Sequence, residues 1–132
     1  MLDRLNSIKE REPYRPVAPV CAADAASRIF DPGTPDPYML YVHHVRPEWR
    51  SRIPAVTHVD GTARLQTISE QQNATLWQII AGYANVSGIP LLCNTSANHK
   101  GSGFFPDARS AMEWGRTRYV WSEGVLYDHG HA

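Results

Sequence analysis

The residues best suited to chemistry in this sequence are four cations, three of which lie close together near its start. Lys9, Arg11 and Arg15 flank the stiff Glu12-Pro13 pair, and Arg64 lies far along the chain. A phosphate or acyl phosphate spreads its charge over several oxygens, so its binding requires donors fixed in several directions. The cations therefore allow a site for an anionic substrate. The simpler interpretation is that they are solvated surface residues, as most Lys and Arg side chains are.

A second candidate is a run of small polar residues that follows an apolar, strand-like segment. Asn94-Thr95-Ser96 comes directly after Ile89–Cys93. Ligands of open α/β sheets bind at the carboxyl ends of strands, where such donors hold a phosphate or carboxylate. A Ser/Thr turn that only begins a loop is equally compatible with this pattern.

The histidines offer a metal site as a third candidate. His58 and Asp60 have strand spacing, and His43-His44 lie on the preceding predicted strand. Imidazole and carboxylate groups bind zinc or iron, but no third and fourth ligand stands at a diagnostic spacing. A hydrogen-bonded structural pair is therefore the favoured interpretation, and we assign no metal ligand in this chain.

Hydrophobic spacing and turn residues predict the elements that position these side chains. Helices are predicted over 2–11, 22–30, 73–88 and 107–116; the third has an Asn73 cap and a closing Gly88. Extended segments are predicted over 16–21 (an edge strand or loop, because of its prolines), 38–45, 55–59, 63–68, 89–93 and 119–127, with a proline-rich loop over 31–37. Helices and strands alternate, so the predicted class is α/β.

Composition limits the function classes. The chain has 132 residues, 42% of them apolar, and no net charge. These values predict one folded domain without the basic field of nonspecific nucleic-acid binding. No apolar run is long enough for a membrane span and the charged start does not match a signal peptide, so a cytoplasmic protein that binds neither membrane nor nucleic acid is expected. Two cysteines, Cys21 and Cys93, make no disulfide framework, and Cys93 is expected to be an inert core residue.

Three strings of the sequence resemble the C-terminal region of the O-carbamoyltransferases, which include nodulation-factor and antibiotic-tailoring enzymes. The strings are 5–19, 54–67 and 92–96, and they occur in the family's order. Ala97 stands where many members have Phe, and Gly101-Ser102-Gly103 where many have Gly-Glu-Pro, which makes the chain more similar to nodulation-type members.

The resemblance implies a YrdC-like α/β domain over residues 1–132, a twisted mixed sheet flanked by helices. The domain is expected to be incomplete, because the family's glycine- and arginine-rich stretch before the first helix is absent from this sequence. The implied activity is the binding of carbamoyl phosphate and of ATP with Mg²⁺ to form a carbamoyl-adenylate. Lys9, Arg15 and Arg64 match the catalytic positions that hold phosphates and the carbamoyl group, and Asn94 and Ser96 match the polar turn beside them.

The resemblance also implies a partner. In the family an N-terminal Kae1-like domain holds an iron ion and transfers the carbamoyl group to a substrate hydroxyl, such as one on a nodulation-factor sugar. That domain lies outside this sequence, so the chain alone is not expected to complete the transfer. Two other hypotheses stay open: a non-catalytic module that docks on a Kae1-like chain, and a metal-dependent hydrolase built on His43, His44, His58 and Asp60.

Overall fold

The computed structural model describes residues 1–100 and 102–130, so Gly101, His131 and Ala132 lie outside the described residues. Helices and short strands are intermixed along the chain, which confirms the predicted α/β class. The helices are α1 (Leu2–Ile8), α2 (Ala26–Ile29), α3 (Pro47–Arg50), α4 (Ala74–Ser87) and α5 (Ala108–Trp114). The strands are β1 (Ala18–Ala22), β2 (Phe30–Asp31), β3 (His43–Val45), β4 (Thr62–Ala63), β5 (Gln66–Ile68), β6 (Leu91–Asn94), β7 (Tyr119–Ser122) and β8 (Val125–Asp128).

The chain divides into two compact units. A central unit contains Pro16–Thr95, and a terminal unit contains Asp3–Arg15 together with the chain from Ser96 onward. The prediction of one domain over residues 1–132 stays a prediction. No helix among the described residues is long and apolar enough to cross a membrane.

The central unit contains a mixed sheet with strand order β5-β1-β6. Strand β1 runs parallel to β5 and antiparallel to β6. The prediction that residues 16–21 form an edge strand or loop is therefore wrong. Pro19 is tolerated because pairing with β5 begins only at Val20, so the missing N–H of Pro19 falls outside the parallel ladder.

A second sheet of the central unit has the order β2-β3-β4, with antiparallel pairing throughout. Two predicted strands are corrected here. The segment 38–45 pairs only at His43–Val45, because the Asp36 carboxylate takes the N–H groups of Leu40 and Tyr41. The segment 63–68 is split between two sheets, with β4 in this one and β5 in the mixed sheet.

The core of the central unit is apolar. Helix α4 packs on β1 and β6, and Ile80 is its fully buried residue. Its caps are as predicted: Asn73 Oδ1 accepts the Leu76 N–H, and Gly88 is left-handed with φ of 70°. The other buried apolar residues come from all parts of the unit and include Val17, Val20, Cys21, Ala26, Ile29, Phe30, Val45, Ile53, Val56, Ala63, Leu65 and Leu91.

Three further predictions differ from the structure in extent or type. The helix predicted over 22–30 is reduced to α2, and the extended segment 55–59 is replaced by a 3₁₀ turn at Pro54–Val56. The first helix ends at Ile8 instead of residue 11. The N–H groups of Glu10 and Arg11 bond back to Ser7 and Asn6, which closes the helix end.

The terminal unit combines α1, α5 and the β7–β8 hairpin. Helix α5 begins at the Asp107 cap, whose carboxylate accepts the Ser110 N–H, and the hairpin confirms the prediction for 119–127. The buried residues among its described residues are Asn6 and Lys9. Both are polar, so this unit is organised by hydrogen bonds more than by an apolar core.

Candidate functional site

The centre of the candidate site is the ammonium group of Lys9, which lies at the end of α1. Lys9 Nζ donates to Ser96 O at 2.8 Å, to Asn98 Oδ1 at 2.9 Å and to Asn98 O. The lysine is 9% exposed. The Lys9 ammonium group thus holds the turn 96–98 by donating to three of its oxygens. This turn follows shortly after the end of β6.

The side chains of the turn 96–98 are oriented by the same contacts. Ser96 Oγ donates to Asn98 Oδ1 at 2.8 Å. Because Lys9 and Ser96 both donate to Oδ1, that atom must be the amide oxygen, and Nδ2 carries the two remaining N–H donors. Asn98 Nδ2 makes no hydrogen bond with any other described residue, so these donors are available for an oxygen of a ligand.

Positive charge is concentrated on the segment that leads out of α1. Burial lowers the pKa of Lys9, and the charge of Arg11 lowers it further. Burial also lowers the pKa of Arg11, with the charge of Arg15 adding to the effect. Like charges that disfavour one another are stabilised by an anion, so this segment of the terminal unit is suited to an anionic ligand.

Arg15 is the exposed end of this segment. Its guanidinium lies 3.5 Å from the Glu12 carboxylate, and both side chains are more than half exposed, so the pair contributes little to stability. The backbone is better fixed: buried Asn6 Nδ2 donates to Pro13 O at 3.2 Å and to Arg15 O at 3.1 Å. Asn6 thereby fixes the backbone course of the cationic segment.

The other two predicted site residues belong to the central unit. Asn94 Nδ2 donates to Gln66 Oε1 at 2.6 Å, and Gln66 Nε2 donates to Pro37 O at 3.0 Å. This relay of side-chain amides passes from β6 to β5. Arg64 is exposed between buried Ala63 and Leu65, and its guanidinium makes no hydrogen bond or ion pair within 1–100 and 102–130.

The structure therefore places the predicted site residues as two sets. Lys9, Arg15 and Ser96 lie in the terminal unit, where Lys9 and Ser96 are in direct contact. Asn94 and Arg64 lie in the central unit, where Asn94 contacts Gln66. Asn98 is the residue that sequence reasoning missed. Its Ser-x-Asn spacing after a strand was the available signal, since side chains two positions apart in a turn often bond to each other.

A buried acid organises a loop of the central unit, residues 37–42. Asp36 Oδ1 accepts the Leu40 N–H at 2.8 Å, and Oδ2 accepts the Tyr41 N–H at 2.9 Å. Its Oδ2 also lies 3.5 Å from Nε2 of fully buried His43. Burial alone would raise the pKa of Asp36, but the hydrogen bonds from the Leu40 and Tyr41 N–H groups, together with the nearby His43 ring, hold it below its ordinary value.

The histidine cluster of the metal hypothesis does not assemble. His43 is buried and His44, on the opposite face of β3, is exposed. His58 Nδ1 and Asp60 Oδ1 both contact the Thr62 hydroxyl, at 3.0 and 2.6 Å, so they form a turn. Within the part of the chain that the structure describes, no group of three or more His, Cys, Asp or Glu could hold a metal ion. The described residues therefore do not fit the hydrolytic metal of that hypothesis.

The cysteines have the character of structural thiols. Burial raises the pKa of Cys21 to about 12 and also raises that of Cys93. Both thiols are free. A nucleophilic cysteine requires the thiolate, so this environment favours the inert role expected for Cys93.

Comparison with known proteins decides the family. The family model described as "Carbamoyltransferase C-terminus" matches residues 1–121 of the chain. The chain belongs to this family. Its match runs from α1 through most of β7 and includes all the predicted site residues.

Curated relatives of this carbamoyltransferase region include nodulation proteins and a cephem O-carbamoyltransferase. Nodulation protein U of Rhizobium tropici is 58% identical over 127 residues, which cover 96% of this chain and 22% of the relative. The 3'-hydroxymethylcephem-O-carbamoyltransferase of Amycolatopsis lactamdurans is 47% identical over 102 residues, covering 77% of this chain and 19% of the relative. Nodulation protein NolNO of Sinorhizobium fredii is 45% identical over 103 residues, covering 74% and 15%. The chain thus spans about a fifth of the length of the relatives it matches.

Proposed function

We propose that this carbamoyltransferase C-terminal region binds carbamoyl phosphate and ATP, the latter with Mg²⁺. Water would release phosphate from carbamoyl phosphate, and an oxygen of the resulting carbamate would attack the α-phosphorus of ATP and displace pyrophosphate, which gives a carbamoyl-adenylate for transfer to a substrate hydroxyl. The observation that carries the proposal is the turn 96–98, which Lys9 holds and from which Asn98 presents two unpaired amide donors. Fixed N–H donors close in the chain to several cations suit a phosphorylated ligand, because negative charge develops on the pyrophosphate oxygens as pyrophosphate departs.

The proposed roles follow from where each side chain lies. Arg15 and Arg64 are exposed cations able to contact phosphate oxygens, Asn98 supplies neutral N–H donors, and Ser96 orients the Asn98 amide by donating to its Oδ1. The three N–H groups of Lys9 are already satisfied by protein oxygens, so its charge acts on the ligand through the turn it holds. In the central unit Asn94, the last residue of β6, keeps an amide oxygen that its contact with Gln66 leaves available.

The proposal extends to a partner and an acceptor. The chain corresponds to about a fifth of nodulation protein U, and the remaining part would provide the Kae1-like domain, its iron and the acceptor site. Similarity to nodulation proteins over 96% of the chain makes a nodulation-factor sugar the proposed acceptor. ATP and carbamoyl phosphate are cytoplasmic metabolites, so the proposal implies a cytoplasmic location.

Isothermal titration of the 132-residue chain with Mg-ATP, and separately with carbamoyl phosphate, tests the proposal. We expect Arg64→Ala and Asn98→Ala each to weaken the binding of Mg-ATP or carbamoyl phosphate by about 10- to 100-fold, because each removes one charge-assisted contact with the ligand. Arg28→Ala is the matched control for Arg64, because Arg28 is an exposed arginine of the same unit without a hydrogen bond or ion pair in the described structure. No heat from either ligand with a folded wild-type chain would overturn the assignment.

A second candidate function, a module that docks on a Kae1-like partner, is supported by the 37–42 loop. Tyr38 is 80% exposed, Leu40 71%, Tyr41 62% and Val42 60%. Neighbouring large apolar side chains on a loop whose backbone is fixed by Asp36 resemble a preformed recognition surface. Such a surface fits a protein partner that would bury these apolar side chains. The partner we propose is the remaining part of a longer carbamoyltransferase.

Sedimentation of the chain mixed with the N-terminal part of nodulation protein U tests the docking role. The double substitution Leu40→Ser and Tyr41→Ser is expected to weaken association at least about tenfold, because the wild-type Leu40 and Tyr41 side chains would both be buried at the interface. Val86→Ser is the control, because Val86 is also highly exposed but lies on α4. Equal association of all variants would exclude the 37–42 loop as the contact.

A further inference from the structure

Glu10 occupies a backbone position that does not suit a glutamate. It follows α1 with φ of 51°, in the left-handed region. The Arg11 N–H bonds to Asn6 O at 2.9 Å and the Glu10 N–H to Ser7 O at 3.2 Å, the pattern of a helix end at which glycine is usual. A strained non-glycine residue of this kind points to a role for its side chain.

The carboxylate of Glu10 joins three parts of the terminal unit. Its Oε2 lies 3.0 Å from His99 Nε2, and its Oε1 accepts from Arg116 Nη2, just beyond α5. The hydrogen bonds from His99 and Arg116 lower the pKa of Glu10. The His99 ring lies 5.7 Å from the Trp114 ring, so the contact also reaches the side of α5.

The contacts of Glu10 run beside those of Lys9. Lys9 bonds to Asn98, and the next residue along, Glu10, bonds to the next residue of the other segment, His99. Two adjacent cross-connections between the same segments fix their register far better than one. The Arg116 contact then prevents the Glu10 side chain from rotating away.

We propose that Glu10 is a positioning residue of the candidate site: through His99 and Arg116 it holds Lys9 on the turn 96–98 and keeps the Asn98 amide presented to the anionic ligand. This inference rests on the proposed function, because it assigns Glu10 to the ATP site. It also makes a prediction opposite to that of simple charge. Removing a carboxylate near an anion site should strengthen anion binding by Coulomb attraction, whereas loss of the positioning contact should weaken it.

Titration of Glu10→Gln with Mg-ATP decides between the two. The positioning role predicts an affinity lower by about tenfold, and no further loss when Glu10→Gln is added to Lys9→Met, because both act on the same turn. Glu113→Gln, an exposed glutamate of α5, is the matched control and should bind as the wild type does. Equal or tighter binding by Glu10→Gln, or full additivity with Lys9→Met, overturns the proposal.

A measurement without ligand separates this inference from the proposed function. In the free 132-residue chain, nuclear Overhauser contacts between the Lys9 side chain and the Asn98 side-chain amide report the turn directly. If wild type fails to bind Mg-ATP, the proposed function fails, and loss of these contacts in Glu10→Gln still supports positioning while their persistence overturns it. Should Glu10→Gln fail to fold, Glu10→Gly carries the same test, because glycine suits the left-handed position.

Discussion

The two units of this chain are stabilised by different means. The central unit encloses fully buried apolar residues such as Ile29, Phe30 and Leu65, whereas the buried residues in the described part of the terminal unit are Asn6 and Lys9. An apolar core tolerates loss of any one hydrogen bond, because its stability is spread over many contacts. A polar centre depends on each contact. The candidate ligand turn therefore lies in the unit that a single polar substitution can most easily disrupt.

Each unit also fixes one loop through a single charged side chain. Lys9 holds the turn 96–98 by donating to its oxygens, and Asp36 holds the 37–42 loop by accepting from its N–H groups. The first arrangement leaves polar donors facing outward and the second leaves apolar rings exposed. This difference is why we assign the small anionic ligand to the turn 96–98 and protein contact to the 37–42 loop.

The largest expected effect concerns the apolar core of the central unit. Phe30→Ala should lower the free energy of unfolding by about 3–5 kcal/mol, since Phe30 is fully buried and its removal leaves a cavity. Chemical denaturation followed by tryptophan fluorescence measures the change. Phe104→Ala is the matched control from the terminal unit, where Phe104 is 74% exposed, and it should change stability by less than about 1 kcal/mol. Equal losses would show that the two units do not differ in this way.

Lys9→Met should have a smaller and more local effect. Three oxygens lose the bond from Lys9, although Ser96 O keeps the Asn98 N–H and Asn98 Oδ1 keeps the Ser96 hydroxyl. Because the turn 96–98 is also partly exposed, water can replace part of the lost bonding, so we expect the free energy of unfolding to fall by about 2 kcal/mol. Amide hydrogen exchange should become faster in the turn 96–98 while β1 and β6 stay protected. Lys100→Met, an exposed lysine of the same unit, is the control. Faster exchange throughout β1 would mean that Lys9 supports the whole chain.

Acid should act on the central unit through Asp36. Its pKa in the folded chain lies below the ordinary value, so its stabilising contribution is complete above about pH 5 and is lost as the pH falls through the folded pKa. Urea unfolding of wild type and Asp36→Asn should therefore differ by a constant amount near neutrality and converge below about pH 4. Asp24→Asn, at an exposed aspartate, should parallel wild type. A gap that widens in acid would reverse the assigned direction of the pKa.

Local signals account for what the sequence predicted correctly. Asn73 and Gly88 bound α4 because capping and a left-handed glycine depend on neighbouring residues alone. The strand predicted over 38–45 forms only at His43–Val45, because the Asp36 side chain takes the Leu40 and Tyr41 N–H groups that strand pairing would need. The apolar pattern of residues 38–42 was real, but it marks an exposed surface instead of a strand.

The contacts of the candidate site also could not be predicted from local sequence signals, because they join residues far apart in the chain. The cations of 9–15 and the polar run 94–96 were identified from residue type, yet nothing in the sequence indicates that Lys9 contacts Asn98, 89 positions away. Pairings at that separation are set by the fold, not by spacing. For the same reason the sequence placed Glu10 only within the helix predicted over 2–11, and its partners His99 and Arg116 became visible only in the structure.

The smallest expected effect on stability is that of Arg64→Ala, and it separates the two kinds of cation in this chain. Lys9 is buried and satisfied by protein oxygens, whereas Arg64 is exposed and has no protein partner among the described residues. Its backbone is nevertheless held between Ala63 and Leu65, which are fully buried, so the core fixes where the side chain begins. Because the Arg64 backbone is fixed and its guanidinium makes no hydrogen bond or ion pair with the described residues, this cation is available to a ligand. We expect the free energy of unfolding of Arg64→Ala to stay within about 0.5 kcal/mol of wild type by urea denaturation. A loss above about 1 kcal/mol, with Arg28→Ala unchanged, would show that the Arg64 guanidinium is a structural contact and remove the reason for assigning it to substrate.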